Sequence, residues 1–279
     1  MTLRIAAVSF LNTVPLIEML VAEPGGGATL TRALPSAISQ KLLSGQADIG
    51  LLPVFEIFLG RSAGILSRAC IGGTGAVDSV KLFTRGGLGT VDRLLVDRGS
   101  RTSVALTRVL LAEMEGRTPP LEHARPVPGS RPEEGQGVLV IGDLCFAYEK
   151  ALSDDPEVQA HDLGALWYDL TGLPFVFATW AAAPGWPDRA GPEAVTRAAE
   201  LLERARDHGL ARLGDLAVRE AANGAMGPGG DATSAAIDYY FRTSLDYTLG
   251  EDHLAGLRKF HALCLSHDLI PATHPPSLL

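Results

Sequence analysis

The sequence predicts an α/β fold of two lobes, each a mainly parallel sheet flanked by helices, with a cleft between the lobes. Short apolar runs alternate with helical patterns, the order that builds parallel sheets. The 279 residues are long for one ordinary domain and comfortable for two. Two strand-like crossings, near residues 85 and 180, divide the chain. Residues 1–85 plus 180–279 then form a discontinuous first lobe that carries the C-terminal helices, and 86–179 an inserted second lobe. That is the plan of two-lobed proteins that close on a ligand.

The first strand starts at Leu3 and its apolar run ends in Ser9. Polar residues return at Asn12 and Thr13, and a helical pattern begins at once with Leu16, Ile17, Leu20 and Val21. Open α/β sheets bind ligands at such junctions, outside the carboxyl ends of the strands. Asn12 or Thr13 could cap the helix, Pro15 is tolerated in its first turn, and the N–H groups there would suit an anion. Capping alone would also explain Ser9 and Asn12. Gly25-Gly26-Gly27 is a turn without a phosphate-loop pattern. A strand over Ala28–Leu34, a helix from Ser36 to Ser44 stopped by Gly45, a strand over Ala47–Val54 broken by Pro53, and a short helix from Phe55 to Leu59 follow. Ile71-Gly72-Gly73-Thr74-Gly75 lacks both a P-loop and a full dinucleotide fingerprint, and reads as a bend where backbones approach closely. Val77–Thr84 alternates as a strand, broken by Arg85-Gly86-Gly87.

Leu94–Asp97 is a short strand. It leads to a turn in which Ser100, Thr102 and Ser103 sit with Arg98 and Arg101, and then to a helix carrying Val104, Leu106, Val109, Leu110 and Met114, ended by Gly116. A cap needs one hydroxyl, so the surplus points to an anion, although exposed turns are also polar. Residues 126–137 are a polar loop, Val138–Ile141 a buried strand, and Gly142-Asp143 opens a helix with Asp143 as its cap. Leu173–Trp180 is an apolar, aromatic strand that makes the return crossing, and 184–192 is a loop. Helices over Glu193–His208, Leu213–Asn223, from Thr233 onward and over Glu251–His267 complete the chain, before an extended tail from Pro271. Tyr239, Tyr240 and Phe241 are assigned to the core.

Composition narrows the function. With 46% hydrophobic residues and 20% charged ones, the chain can bury a sizeable core. A net charge of −8 argues against a nucleic-acid partner. Anion binding stays open, because it depends on local helix ends and hydroxyls. The three cysteines, Cys70, Cys145 and Cys264, are far apart and make no metal or redox pair; such sparse usage fits a reducing compartment. No signal peptide or membrane span is read, so a cytoplasmic protein without membrane attachment is expected. Nucleophile and zinc motifs are absent. The seven histidines lie in loops or C-terminal helices, away from the turns singled out. Glu56 and Asp143 are carboxylates near the expected cleft that could act as acid or base, or merely cap and solvate. The residues alone thus describe a two-lobed protein that binds a small, anionic ligand.

Ser9-Phe10-Leu11-Asn12-Thr13-Val14-Pro15-Leu16 resembles the opening signature of the menaquinone-biosynthesis family of the futalosine pathway, in its chorismate dehydratase branch. Further blocks agree in order: Ala47–Pro53, Val77–Phe83, Ser100–Ser103, Ile141–Asp143 and Trp167–Phe177. The last hundred residues resemble the family only in length and helical character. The resemblance implies a type II periplasmic-binding-protein fold used as a cytoplasmic lyase. The implied reaction is dehydration of chorismate, a dicarboxylate, to 3-[(1-carboxyvinyl)oxy]benzoate without metal or cofactor. It places Ser9 and Asn12 beside the reacting ring as catalytic residues, and Ser79, Ser100, Thr102, Ser103, Pro53, Gly142 and Asp143 around the substrate. The substrate's own enolpyruvyl carboxylate would take the proton. A sister lyase of similar fold, acting on cyclic dehypoxanthine futalosine, is expected to carry a histidine base where this chain has Gly142, which favours the dehydratase. Leu144-Cys145-Phe146 departs from the smaller residues expected after that turn. A non-catalytic anion-binding protein of the same fold is the other alternative. The oligomeric state is not legible.

Overall fold

A computed structural model describes residues 2–22, 27–97, 99–226, 233–272 and 275–279. The expected turn at Gly25-Gly26, and Arg98 and His274, lie outside them. The chain opens with β1 (Leu3–Ala7), a 3-10 turn (Leu11–Thr13), α1 (Val14–Ala22), β2 (Ala28–Arg32), α2 (Pro35–Leu43), β3 (Ile49–Pro53), α3 (Val54–Phe58) and β4 (Gly64–Gly73). Then come β5 (Val80–Arg85), β6 (Arg93–Val96), α4 (Arg101–Glu115), β7 (Leu121–His123), β8 (Gln136–Ile141), α5 (Leu144–Leu152), β9 (Val158–Asp162) and α6 (Leu163–Thr171). The remainder holds β10 (Phe175–Ala182), α7 (Trp186–Ala190), α8 (Pro192–Leu210), α9 (Leu213–Ala222), α10 (Ser234–Tyr239), a π-helix (Tyr240–Ser244), β11 (Asp246–Thr248) and α11 (Glu251–Ser266).

Two compact units result. The first comprises Met1–Gly72, Val176–Leu216 and Asp246–Leu279. Its sheet has the order β11-β4-β10-β3-β1-β2. Strand β1 pairs in parallel with β2 and β3, as strand–helix–strand connections require. Ile5, Ala6 and Ala7 of β1 and Ile49, Leu51 and Leu52 of β3 are buried, which explains why both strands read as unbroken apolar runs rather than alternating ones. Helix α8 packs on α1 so closely that a Cβ on Gly209 would sit 1.8 Å from the Pro15 carbonyl oxygen. Glycine at 209 therefore sets how near α1 can lie.

The second unit comprises Gly73–Phe175 and Ala217–Leu245, with sheet order β7-β6-β8-β5-β9. Phe83, Val138, Val140, Cys145 and Tyr148 form a buried cluster in it, with the Phe83 and Tyr148 rings 4.7 Å apart. Burial of such side chains contributes roughly 1.5–3 kcal/mol each.

Both sheets are mixed, where mainly parallel ones are expected from sequence. Strand β10 runs antiparallel to β3, and β5 runs antiparallel to β8 and β9. Neither enters its sheet through a helical crossover from a neighbouring strand, so the geometry that enforces parallel pairing does not apply. Residues 80–85 form a strand of the second sheet, and Ala217–Leu245 clusters there too, whereas the sequence reading assigns both stretches to the first lobe. The physical reason is pairing between distant segments: β5 joins β8 and β9 edge to edge, and Tyr240 and Ser244 hydrogen-bond to residues 79 and 78. Strand β4, absent from the sequence reading, carries Ile71-Gly72-Gly73 at its end. The expected close approach is real, since a Cβ on Gly73 would meet Val77 at 2.3 Å and the Ser244 carbonyl at 3.1 Å.

Candidate functional site

In the first unit, β1 stops at Ala7 and the exposed Ser9 follows. Phe10, extended in backbone, occupies the cap position of the 3-10 turn and supplies no side-chain bond. Ser9 and Asn12 therefore do not cap this turn, contrary to the simplest sequence reading. Asn12 lies half-buried inside it, and its Oδ1 accepts from the Thr13 hydroxyl at 3.2 Å. Pro53, half-buried, ends β3 and sits at the cap position of α3. Glu56 is buried and bonds Arg61 at 2.7 Å, so this carboxylate is held in an ion pair rather than poised as an acid or base.

In the second unit the structure brings Ser79 and Gly142 together. Val80 and Ile141 are register partners, and the Gly142 N–H donates to the Ser79 carbonyl at 2.8 Å. Gly142 has φ of +65°, a region open to glycine and strained for most residues. Asp78, next to Ser79, adopts φ of +60° without being glycine. Such a conformation costs on the order of 1–3 kcal/mol and persists only where surrounding bonds impose it. Here they come from two directions. The Asp162 carboxylate accepts from the N–H groups of Val77 at 3.1 Å and Asp78 at 2.8 Å, while it caps α6 through Gly164 and Ala165. The Ser244 hydroxyl donates to Asp78 Oδ2 at 2.6 Å, and the Tyr240 hydroxyl donates to Ser79 Oγ at 2.8 Å. Burial pushes the Asp162 carboxyl above the usual range, against the pull of its backbone donors.

The three hydroxyls around the start of α4 are buried: Ser100 is 3% exposed, Thr102 4% and Ser103 6%. A merely solvated polar turn would be open to water. Ser100 sits at the cap position but its side chain does not cap, and its Oγ has no hydrogen-bond partner among the described residues. The first turn of this 15-residue helix presents N–H groups and the positive end of its dipole beside them. Asp143 stands at the cap position of α5 with helical backbone and makes no capping bond, so the expected cap is not formed.

Sequence reasoning passes over Asp162, Ser244 and Tyr240 as site residues. An Asp directly before a helical pattern was a usable signal for Asp162; nothing local marks the other two. Tyr240 is buried as expected, but Tyr239 is 59% exposed and is not core. His161 bonds Thr84 at 3.0 Å and His261 packs edge-on against Phe58; burial lowers both pKa values. Among the described residues, no three His, Cys, Asp or Glu side chains gather as a metal site. A cavity of about 390 Å³ is lined by Phe146, Glu149 and Lys150 of α5 and by Tyr239 and Tyr240, and none of the candidate hydroxyls lines it.

A sequence profile described as menaquinone biosynthesis matches residues 3–265. The chain belongs to that family. It is 32% identical to the chorismate dehydratase of Thermus thermophilus over 286 positions, covering 95% of this chain and 96% of that one. Among solved structures, a protein of Archaeoglobus fulgidus superposes with a TM-score of 0.68 at 12% identity, covering 96% of this chain and 98% of that one. The periplasmic aliphatic sulphonate-binding protein of Escherichia coli does so with a TM-score of 0.60 at 14% identity, covering 97% and 94%. A Candida albicans protein described as having the generic periplasmic-binding-protein fold gives 0.64 at 10% identity, covering 100% and 98%. The two-lobed periplasmic-binding-protein-like fold is thereby established. No helix among the described residues is long and apolar enough to cross a membrane.

Proposed function

We propose that this protein is a chorismate dehydratase, converting chorismate to 3-[(1-carboxyvinyl)oxy]benzoate and water. The observation that carries this reading is the 32% identity to the Thermus thermophilus chorismate dehydratase, sustained over 95% of this chain and 96% of that one. In the reaction the ring loses a proton from C3 and a hydroxyl from C4, and the new double bond completes an aromatic ring. Aromatisation supplies the driving force, so the protein's work is to hold a dicarboxylate, align proton and leaving group, and exclude water.

Ser9 and Asn12 act at the reacting ring, Asn12 by hydrogen-bonding the leaving hydroxyl or a carboxylate. Ser79, Ser100, Thr102 and Ser103 donate to carboxylate oxygens, with Pro53, Gly142 and Asp143 shaping the surroundings. Burial supports this assignment, because a hydroxyl withdrawn from water gains most from an anionic acceptor. The proton goes to the substrate's own enolpyruvyl carboxylate. The reaction takes place in the cytoplasm, in keeping with three buried, unpaired cysteines. Incubation of the purified protein with chorismate, followed by chromatography of the aromatic product, tests the assignment, and Asn12→Ala should abolish most turnover. Tight chorismate binding without product would overturn the activity; an Asn12→Ala variant of undiminished rate would overturn the role of Asn12.

A further inference from the structure

We propose that Tyr240 is a positioning residue that sets the direction of the Ser79 hydroxyl, a proposal that rests on Ser79 being a carboxylate donor. Tyr240 is 2% exposed and Ser79 1%, and their oxygens lie 2.8 Å apart. A phenol is the stronger acid of the two, so Tyr240 donates and Ser79 accepts. One lone pair of Ser79 Oγ is then occupied. Its own proton must point elsewhere, and it finds no acceptor among the described residues. A serine held this way is a fixed donor, suited to a carboxylate oxygen. Without Tyr240 the hydroxyl would lose the one bond that fixes its direction and would rotate.

The surroundings of Tyr240 are those of a support. It opens the π-helix at Tyr240–Ser244, a wide-turn geometry often found at functional sites. Ser244, at the other end of that turn, donates to Asp78. The π-turn thus grips two consecutive residues of the 77–79 turn, while Asp162 holds the backbone of Val77 and Asp78. The Phe146 ring meets Tyr240 edge-on, with centroids 5.1 Å apart and planes at 84°. This accounts for a bulky residue at 146, where the family resemblance leads one to expect a smaller one.

Steady-state kinetics of chorismate dehydration by wild type, Tyr240→Phe, Ser79→Ala and the double variant test the proposal. Ser79→Ala should raise KM about 10- to 100-fold with kcat little changed, as loss of one donor to a charged group predicts. Tyr240→Phe, which keeps the ring, should raise KM several-fold, again with kcat within about twofold. In the Ser79→Ala background Tyr240→Phe should add nothing. Multiplying effects, or an unchanged KM in Tyr240→Phe while Ser79→Ala is impaired, overturn the positioning role alone. Wild-type kinetics in Ser79→Ala overturn the Ser79 assignment itself. If Tyr240→Phe does not fold, Phe146→Leu replaces it: it keeps the phenol but removes its edge contact, and should raise KM only when Ser79 is present.

Discussion

The Asp162 carboxylate accepts the backbone N–H of Asp78 at 2.8 Å, and so ties the start of α6 to a turn more than eighty residues earlier in the chain. One side chain caps a helix and holds a left-handed aspartate beside a candidate substrate hydroxyl. Asp162→Ala should lower unfolding stability by about 2–4 kcal/mol, the sum of a lost cap and stranded N–H groups. It should also raise KM for chorismate, because the turn that presents Ser79 is released. Urea unfolding and steady-state kinetics on the same preparation check both.

Ser100 predicts an opposite pairing of effects. Its buried Oγ has no partner among the described residues, so removing it relieves a desolvated polar atom. Ser100→Ala should leave the melting temperature unchanged or slightly raised, yet raise KM for chorismate about 10-fold or more. A variant that loses stability while keeping KM would mark Ser100 as structural.

Gly209 and Gly214 form a matched pair. Gly209→Ala forces a methyl group against the Pro15 backbone and should cost about 3 kcal/mol or displace α1, with a fall in kcat/KM because α1 continues from the turn that carries Asn12. Gly214 in α9 has open space around a built Cβ, and Gly214→Ala should be neutral or stabilising by up to about 1 kcal/mol. Thermal unfolding of the two variants separates them.

Acid stability should depend on Asp48. Burial works against its charge, but hydrogen bonds from the Arg4 guanidinium and backbone N–H outweigh burial and hold its pKa below 3.8. A carboxyl depressed in the folded state stabilises the protein above the unfolded pKa near 3.8, and that contribution is lost as pH falls through the folded pKa. Asp48→Asn should therefore be less stable than wild type at pH 7 by up to about 2 kcal/mol. The gap should narrow below pH 3.8, as read from urea midpoints at both ends of the range.

The sequence by itself determined the strand–helix alternation, the buried runs at β1, β3 and β8, and the concentration of hydroxyls around the start of α4. These are local properties: apolar periodicity, glycine and proline punctuation, and polar residues at strand ends all act within a few residues. It also carried the ordered blocks from Ser9 to Phe177 by which the family is legible. Only the tertiary structure decided that β5 and β10 run antiparallel to their neighbours, because strand direction depends on where a chain enters a sheet. It alone showed that Ser100 is buried without a partner among the described residues and that Phe10, not Asn12, precedes the first turn of helix. The support of Ser79 by Tyr240, Ser244 and Asp162 was beyond local reading for the same reason. Those contacts join residues more than eighty positions apart, and no spacing rule encodes a hydrogen bond that forms only when distant segments pack.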